Sequence, residues 1–359
     1  MIKLGNEVHW FTSKIPRTSS YEKFEGIHIH RSPILFSKKY MSLGRLTFPI
    51  TSLFNAAKLA KQMDILQFNT FVAGTFGPAV GRLAKKPTVL FCHELFHDLW
   101  KSLGHNFIEK NLYKHIENFI VHQNYNWFLC PSEYSKRTLV KAGVPKNKIS
   151  VVPHGIDFDI FNLGTSHKGL KKKFKLSKNK TFGFTGRLSV KGVGHSKNLL
   201  GLFEAASIVI KEVPDAKLIL GGKNFEDLNP YLEQFGIKDH VVFLGRRPFD
   251  EVPLFYNTCD AVVCPAIVDG YCFLTAEASA CGRPLVVTNG GSHPERVLHN
   301  ETGLVADVAP ESLADNIIKL LTDDNLRKKF GKNAHKFSKQ FTWDKAAKMH
   351  LKVYEKLID

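Results

Sequence analysis

The sequence of 359 residues contains no long apolar run. None of its hydrophobic stretches approaches the roughly 20 residues that a helix needs to cross a bilayer. The amino-terminal segment MIKLGNEVHWFTSK also lacks the apolar centre of a secretion signal. These two absences argue against an integral membrane protein and against export, so we expect a cytoplasmic protein.

Cysteine is scarce, and the spacing of the cysteines does not match a metal-binding motif. The chain has no Cys-x-x-Cys pair, which argues against a zinc ribbon or a dithiol redox site. Most of the cysteines lie in apolar segments, as expected for buried, reduced thiols in a cytosolic protein. The six residues are Cys92, Cys130, Cys259, Cys264, Cys272 and Cys281.

Acidic residues are outnumbered by basic ones. The 33 Asp and Glu stand against 50 Lys and Arg, which gives a formal net charge of +17. This excess favours an anionic partner such as a nucleotide, a nucleic acid or an acidic lipid surface. A lysine-rich surface without a specific partner is the alternative, and both interpretations stay open here. Zinc-finger spacing and RNP-like aromatic motifs are missing, so we expect no nucleic-acid partner.

Short apolar strands alternate with helical patterns along the chain, which is typical of α/β folds with parallel, doubly wound sheets. Examples are PTVLFCH (87–93) in the first half and DAVVCPA (260–266) in the second. The length suffices for two domains with separate cores. Between the halves, HKGLKKKFKLSK (167–178) is typical of a solvated connecting helix. Open parallel sheets bind ligands beyond the carboxyl ends of their strands, so we predict a cleft between the domains.

The most informative stretch is CPAIVDGYCFLTAEASACGRP (264–284). Before it, Val262–Cys264 is typical of a buried strand, the dipeptide Asp269-Gly270 of a turn, and Ala276–Ala280 of a helix. A strand, a glycine turn and a helix in this order direct free backbone N–H groups and a positive helix end to one point. Anionic ligands bind at such points. The carboxylates of Asp269 and Glu277 can accept hydrogen bonds from sugar hydroxyls.

This stretch resembles the Glu-x7-Glu signature of the retaining family-4 glycosyltransferases of the GT-B fold, with Asp269 in place of the first Glu. Six further segments resemble family motifs in the family's order, so the resemblance covers nearly the whole chain. They are PHGIDFDIF (153–161), FTGRLS to KNLLGLFEAA (184–206), LGGKN (220–224), VVFLGRRPFDEVPLFYNTCDAVVCPA (241–266), GGSHPERVLHNETGLV (290–305) and FTWDKAAKMHLKVYEKL (341–357).

The resemblance implies two Rossmann-like domains that face a cleft. Residues 1–162 would form the acceptor-side domain, with a carboxy-terminal helix at about 342–359 packing back on it, and residues 175–341 the nucleotide-sugar-binding domain. Family members begin with a strand, a Gly-Gly loop and a helix before the segment that matches LGNEVHWFTS, and here Met1 falls at the end of that helix. A late start codon, a natural short form and a gap paired in another way are the alternatives. Losing a central strand would expose unpaired edges on its neighbours.

The implied chemistry needs cations, because a nucleoside diphosphate gains negative charge as it leaves the sugar. The resemblance assigns this role to Arg187, after Gly186, and to Lys197; Lys191 is the competing candidate for the lysine. The alternative for Arg187 is a surface arginine that caps the next helix.

The resemblance also implies contacts to the donor sugar and nucleoside. Glu277 would bind ribose hydroxyls, Asp269 the hydroxyls of the transferred sugar, and His93 the sugar or the acceptor. Ordinary alternatives are a glutamate that complements a helix dipole, an Asp-Gly turn and a structural histidine. Further donor contacts are expected from Arg246 near the base and from the backbone amides of Gly270, Tyr271, Cys272 and Phe273.

The resemblance therefore implies a retaining, metal-independent transfer of a hexose-type sugar to a lipid or glycan hydroxyl, with no cofactor besides the sugar nucleotide. The family's front-face substitution requires no protein nucleophile, so Glu94, beside His93, is not assigned that role. Two alternatives are a nucleotide-sugar epimerase of the same fold, which product analysis with and without acceptor would separate, and a sugar-nucleotide-binding protein with impaired catalysis. The donor base, the sugar and the acceptor are left open.

A segment of the first domain suggests a membrane surface as a further partner. Several relatives that glycosylate lipids dock on anionic membranes through a basic amphipathic helix in this domain. Peripheral attachment is therefore a hypothesis, and a core helix with a solvated basic face is its alternative. The segment SLGHNFIEKNLYKHIENFI (102–120) has apolar residues at helical spacing, Ile108, Leu112, Ile116 and Phe119, flanked by Lys101, Lys110, Lys114 and His115.

Overall fold

The structure is a computed structural model that describes residues 1–34, 41–96, 99–100, 107–164, 168–190, 192–223 and 225–359. Lys191, the competing diphosphate lysine, lies outside these residues, as do Lys101 and the start of the predicted membrane-facing segment. The side chains of Ile108 and Lys110 are also outside the described set.

Within the described residues, the first half contains two sheets. A three-stranded sheet has the order β1-β3-β2, in which β1 (Val8–Ser13) pairs parallel with β3 (Ile27–Ser32), and β2 (Tyr21–Phe24) pairs antiparallel with β3. A four-stranded parallel sheet runs β4 (Leu66–Asn69), β5 (Thr88–Phe91), β6 (Trp127–Cys130) and β7 (Ile149–Val151). In these sheets β1 and β4 are both edge strands.

The hairpin between β2 and β3 is not predicted from the sequence. Its turn residues Glu25 and Gly26 both have positive φ, of 47° and 85°, which suits the twist of a tight two-residue hairpin. The dipeptide Glu-Gly is a weaker signal for this turn than Asn-Gly or Asp-Gly, because glutamate adopts the left-handed region less readily.

Within the described residues, four α-helices accompany these sheets. The Ser132 side chain accepts a hydrogen bond from the Ser135 backbone N–H at 3.0 Å and so caps the amino terminus of α4. The bounds are α1 (Met41–Ala60), α2 (Gly77–Ala84), α3 (Phe107–Val121) and α4 (Glu133–Lys141).

The second half is one parallel sheet of six strands with the order β10-β9-β8-β11-β12-β13. Two of its inner strands, β11 and β12, are buried at every residue, as expected for a parallel sheet covered on both faces. The bounds are β8 (Thr181–Thr185), β9 (Lys217–Gly221), β10 (Val241–Gly245), β11 (Ala261–Cys264), β12 (Leu285–Thr288) and β13 (Gly303–Ala306).

The strand order fixes where a ligand can bind. From β8 the chain adds strands on one side, and from β11 it adds them on the other, so the topology reverses between β8 and β11. Ligands of such sheets bind in the crevice at the switch point. Seven α-helices accompany this sheet within the described residues. They are α5 (Lys168–Lys173), α6 (Leu199–Glu212), α7 (Asn229–Gln234), α8 (Val252–Thr258), α9 (Phe273–Ala280), α10 (Pro310–Thr322) and α11 (Asp324–Ser338).

The last helix, α12 (Trp343–Ile358), returns to the first half of the chain. Val353 packs in one cluster with Val89 and Phe91 of β5, and the Lys356 ammonium lies 4.1 Å from the ring centroid of Trp127. Gly155 allows the crossing, because a Cβ atom there would lie 2.2 Å from the Trp343 backbone nitrogen. Among the described residues, no helix is both long and apolar enough to span a membrane.

Candidate active site

A lysine–aspartate pair lies at the switch point of the second sheet. Lys197 ends the 3₁₀ helix Gly192–Lys197 just before α6, and Asp269 lies in the loop that follows β11. The Lys197 Nζ atom is 2.7 Å from the Asp269 Oδ2 atom, and the side chains are 27% and 20% exposed. The sequence placed these residues 72 positions apart in one site, and the structure brings them into direct contact.

Both members of this pair are ionised. Burial alone would raise the pKa of the Asp269 carboxyl, but the Lys197 ammonium holds it below its ordinary value. Burial alone would lower the pKa of Lys197, yet the Asp269 carboxylate raises it well above the ordinary value. An ammonium at this position keeps its charge at any physiological pH and can face an anionic ligand.

The loop after β11 folds around the Asp269 carboxylate. Its Oδ1 atom accepts hydrogen bonds from the backbone N–H groups of Tyr271 at 3.1 Å and Cys272 at 2.7 Å. These two amides are among those predicted to bind the donor, and in this structure they bind Asp269. Cys272 has a φ of +60°, and α9 begins at the next residue, Phe273. The left-handed residue turns the chain from the loop into the helix.

Beneath this loop lies a buried group of two thiols and an imidazole. The Cys264 Sγ atom is 3.3 Å from the Cys272 Sγ atom and 3.5 Å from the His293 Nε2 atom. The Nδ1 atom of His293 lies 3.1 Å from the backbone oxygen of Thr288. The six cysteines are all unpaired and buried, as the sequence predicts. This group packs the loop onto β11 and β12.

Glu277 projects from α9 toward α8, where the Tyr256 hydroxyl donates to its Oε2 atom at 2.5 Å. Burial raises the pKa of the Glu277 carboxyl to about 7, although the hydrogen bond from Tyr256 opposes the rise. Glu277 therefore exchanges its proton near neutral pH. A carboxylate that is half ionised at pH 7 can gain its full charge when a ligand donates hydrogen bonds to it.

An open cleft of about 550 Å³ lies beyond the carboxyl ends of β8, β9 and β10. It contains the predicted residues Gly186, Arg187 and Arg246, and also Lys223, which is not among the predicted site residues. Lys223 follows Gly221-Gly222 at the end of β9, just as Arg187 follows Gly186 at the end of β8. This repeated pattern of a strand, a glycine and a cation could have identified Lys223 from the sequence. Three cations therefore line the cleft beside the switch point.

The other wall of the site comes from the first half of the chain. The Gly270 carbonyl oxygen accepts hydrogen bonds from the side chains of Ser132 at 2.6 Å and Ser135 at 3.3 Å. Gly270 lies so close to the opposite wall that a Cβ atom would stand 2.2 Å from the His93 carbonyl oxygen. The two halves are thus in contact across the loop that carries Asp269.

Glu295 and Arg296 strengthen this contact. The Glu295 carboxylate accepts from the backbone N–H groups of Glu133 at 2.9 Å and Tyr134 at 2.6 Å, at the amino terminus of α4. A carboxylate is favoured there by the helix dipole. Arg296 donates to the Pro131 carbonyl oxygen at 3.3 Å and stacks on Tyr271 with its guanidinium 4.1 Å from the ring centroid. No local sequence pattern predicts these contacts, because the contacting residues come from different domains.

His93 lies on the first-domain wall. Its ring is 4.7 Å from the Phe91 ring and 5.5 Å from the His154 ring, and it keeps part of its surface exposed. Burial lowers the pKa of the His93 imidazole. Burial, with the charges of His93 and His350, lowers the pKa of His154 to about 3. Both rings are therefore neutral at pH 7, and a neutral His93 can donate or accept one hydrogen bond.

Glu94 lies near enough to the lysine–aspartate pair for the charges of both residues to shift its pKa. Burial, and then the charge of Asp269, raises the pKa of the Glu94 carboxyl to about 8. The Lys197 ammonium and the Gly270 backbone N–H act in the opposite direction. Its Oε1 atom is buried without a hydrogen-bond partner. At pH 7 this carboxyl is mostly protonated, and a neutral acid is a poor nucleophile.

Comparisons with known proteins identify the family and the fold of the chain. The model "Glycosyltransferase Family 4" matches residues 1–160, and the model "Glycosyl transferases group 1" matches residues 169–337. The chain belongs to the family-4 glycosyltransferases. One relative is an uncharacterised glycosyltransferase of Methanocaldococcus jannaschii. The two chains are 30% identical over 243 residues, which are 66% of this chain and 61% of the relative.

A second relative of this family-4 chain is a D-inositol 3-phosphate glycosyltransferase of Corynebacterium jeikeium, 32% identical over 222 residues. That match covers 58% of this chain and 52% of the relative. The chain therefore spans about half to three fifths of the length of the curated relatives it matches.

Solved structures show the same fold. Sucrose-phosphate synthase from Thermosynechococcus elongatus superposes with a TM-score of 0.81 at 18% identity, over 99% of this chain and 90% of that one. HepE of Anabaena, solved with UDP and glucose, gives a TM-score of 0.75 at 20% identity, over 92% and 86% of the chains. The predicted GT-B fold, with two parallel α/β units, is confirmed.

Proposed function

We propose that this family-4 chain transfers a hexose-type sugar from a nucleotide-diphosphate sugar to an acceptor hydroxyl, with retention of the anomeric configuration. The observation that carries the proposal is the Lys197–Asp269 pair, 2.7 Å apart at the topological switch point. Beside it, the cleft that holds Arg187, Lys223 and Arg246 has the charge and the position for a diphosphate. A sugar bound to that diphosphate would lie near the Asp269 loop.

In the proposed reaction the bond between the sugar C1 and the diphosphate oxygen breaks, and the acceptor oxygen bonds to C1 on the same face. The proton of the acceptor hydroxyl passes to the leaving phosphate oxygen. The charge that grows on the diphosphate is stabilised by Lys197 and Arg187. No protein nucleophile is needed, which agrees with the protonated state of Glu94 and with the full set of partners around Asp269.

Relatives leave the base of the donor open. HepE is described with UDP, whereas a relative of Mycobacterium tuberculosis is a GDP-mannose-dependent mannosyltransferase, 29% identical over 228 residues. The proposal is tested by offering UDP-, GDP- and ADP-hexoses with EDTA present, and by following the anomeric proton of the product by NMR. A product with the donor's anomeric configuration supports the proposal. An inverted product, an absolute need for a divalent metal, or epimerised donor without transfer would contradict it.

The closed contact at Gly270 gives a specific prediction. We expect Gly270→Ala to lower kcat by about 10²-fold, since an added methyl collides with the His93 carbonyl and separates the two walls by roughly 1 Å. Steady-state kinetics together with small-angle scattering measure the loss and any opening. Gly169→Ala in α5 is the matched control, because a Cβ atom there meets no neighbour within 4 Å. Equal activity of the two variants would show that this close approach is not needed for transfer.

We propose further that the acceptor is lipid-linked and that the protein works at the cytoplasmic face of an anionic membrane. The helix α3 exposes Leu112 and Phe119, seven residues apart and therefore on one face, with exposed fractions of 48% and 59%. Lys114 and His115 accompany them on the same helix. An apolar stripe beside basic residues is typical of helices that lie in the membrane interface.

Liposome co-sedimentation tests this surface. We expect wild-type protein to bind vesicles with acidic lipids at low salt and to release them at high salt, because screening weakens the charge attraction. Leu112→Ser with Phe119→Ser should reduce binding several-fold, whereas Leu83→Ser, which changes an equally exposed leucine of α2, should not. No binding of the wild type to acidic vesicles at low salt would exclude the membrane surface.

A second candidate is a sugar-nucleotide-binding protein with impaired transfer. It is favoured by the division of the first-half strands into two sheets, in which β1 and β4 are both edges. Donor hydrolysis separates the two candidates. Equal traces in wild type and Glu277→Ala support the impaired form, and a clearly faster wild type supports the enzyme.

A further inference from the structure

A group of side chains at the start of the first sheet has no part in the proposed transfer. His9 of β1 and His28 of β3 are partners in the parallel register, and Glu7 directly precedes β1. The Nε2 atom of His9 is 2.8 Å from the Glu7 Oε1 atom, and the Nε2 atom of His28 is 3.7 Å from that same oxygen. The three potential ligand atoms all lie within 4.8 Å of one another.

The other nitrogen of each imidazole is held by a partner. The Nδ1 atom of His9 is 3.0 Å from the His30 Nε2 atom, and the Nδ1 atom of His28 is 2.8 Å from the Tyr21 hydroxyl. The rings of His9 and His28 are stacked, with centroids 4.6 Å apart and planes inclined by 7°. These contacts fix both rings so that their Nε2 atoms converge on Glu7.

This arrangement is the one that metal-binding histidines adopt. Such histidines bind the ion through one nitrogen and hydrogen bond through the other, and the second contact sets the tautomer and the ring orientation. Bonds of about 2.0–2.2 Å to Zn²⁺ place neighbouring nitrogen and oxygen ligands roughly 3.0–3.5 Å apart. The observed separations of 2.8 and 3.7 Å bracket this range.

We propose that Glu7, His9 and His28 bind one divalent transition-metal ion of the Zn²⁺ class. The remaining coordination positions would be open to water, because Glu7 is 71% exposed while His9 and His28 are 11% and 20% exposed. Two imidazoles and one carboxylate suit Zn²⁺ and similar ions better than Mg²⁺ or Ca²⁺, which prefer oxygen ligands only. The ion would join the start of β1 to β3, far along the chain from Lys197 and Asp269.

The hydrogen bonds of the two imidazoles are compatible with metal binding, because an imidazole that binds the ion through Nε2 carries its proton on Nδ1. Without metal, the His9 Nε2 atom contacts Glu7 and the His9 Nδ1 atom contacts the His30 Nε2 atom. With metal on Nε2, the His9 proton sits on Nδ1 and points to the His30 Nε2 atom, while the His30 proton moves to its own Nδ1 atom. At His28, the Nδ1–H donates to the Tyr21 hydroxyl oxygen. Each donor therefore keeps an acceptor in the metal-bound state.

The experiment is a calorimetric titration of tag-free, chelator-treated protein with Zn²⁺. We expect one saturable equivalent per chain and a higher Tm with the ion. His28→Ala and Glu7→Gln should each weaken binding at least tenfold, and Tyr21→Phe, which removes only the hydroxyl partner, about tenfold. His122→Ala on α3 is the matched control, because this exposed imidazole lies outside the group; circular dichroism shows whether each variant is folded.

A Co²⁺ titration separates this site from the buried thiols beneath the Asp269 loop. Co²⁺ on Glu7, His9 and His28 gives weak visible bands without the strong near-ultraviolet charge-transfer band of a cobalt–thiolate bond. Such a band would place the ion on Cys264 and Cys272 and overturn the proposal. The proposal also fails if folded His28→Ala binds Zn²⁺ as tightly as the wild type, or if the wild type binds none.

Discussion

Lys197→Met should lower kcat for sugar transfer by about 10²–10³-fold, the usual loss when one preorganised donor to a developing anion is removed. The methionine fills a similar volume but leaves the leaving diphosphate without its ammonium. It also leaves the Asp269 carboxylate without the cation 2.7 Å away, so the loop around Asp269 loses its main electrostatic support. Steady-state kinetics on the identified donor measure the loss.

The chain offers a matched control for this variant. Lys171 forms a similar ion pair with Asp260, at 3.4 Å and with exposed fractions of 19% and 22%, in the same half of the chain but outside the cleft. Lys171→Met should leave kcat within about twofold, since it removes a comparable pair without touching the donor. Equal losses in the two variants would mean that Lys197 acts through stability alone. Lys197→Arg should recover part of the rate, because it restores the charge.

The donor KM should fall about tenfold as the pH rises from 6 to 8, because ionised Glu277 binds the ribose hydroxyls and its pKa is about 7 in the free protein. The sign follows from burial, which raises the pKa and leaves most of the carboxyl protonated at pH 6. Protonated Glu277 accepts hydrogen bonds less strongly than the carboxylate. Glu277→Gln should raise the donor KM at pH 8 and remove this pH dependence.

Tyr256→Phe provides the finer test of this prediction. The Tyr256 hydroxyl donates to Glu277 and lowers its pKa, so its removal should move the midpoint of the KM profile to higher pH. The aromatic ring, which is buried, is retained. A Glu277→Gln variant with the wild-type pH profile would assign the titration to another group and remove Glu277 from the ribose contact.

The sequence predicted most of the second half because its signals are local. Buried strands such as β11 and β12 are continuous apolar runs, and each ends in a turn that carries a polar residue of the site. Parallel topology then brings the carboxyl ends of β8 and β11 together, which is why Lys197 and Asp269 meet as expected. Lys223 was not among the predicted site residues, although its segment LGGKN (220–224) places a cation after a strand and two glycines, as at Arg187.

Contacts between the two halves could not be predicted in this way. The capping of α4 by Glu295 joins residues 162 and 161 positions apart, and it depends on how the two domains meet rather than on any local pattern. The raised pKa of Glu94 has the same origin, because it depends on burial against the loop of Asp269. Short elements were also missed: β2 has only four residues, all of them exposed, and so lacks an alternating apolar pattern.

The central claim is that Lys197, together with the cations of the neighbouring cleft, holds a diphosphate that carries a sugar. A calorimetric titration of wild type, Lys197→Met and Lys171→Met with UDP, GDP and ADP, in EDTA, measures this directly. The account predicts that one nucleotide binds the wild type and Lys171→Met with similar affinity and binds Lys197→Met at least tenfold more weakly. If no nucleoside diphosphate binds the wild type, or if one binds all three proteins equally, the claim is contradicted.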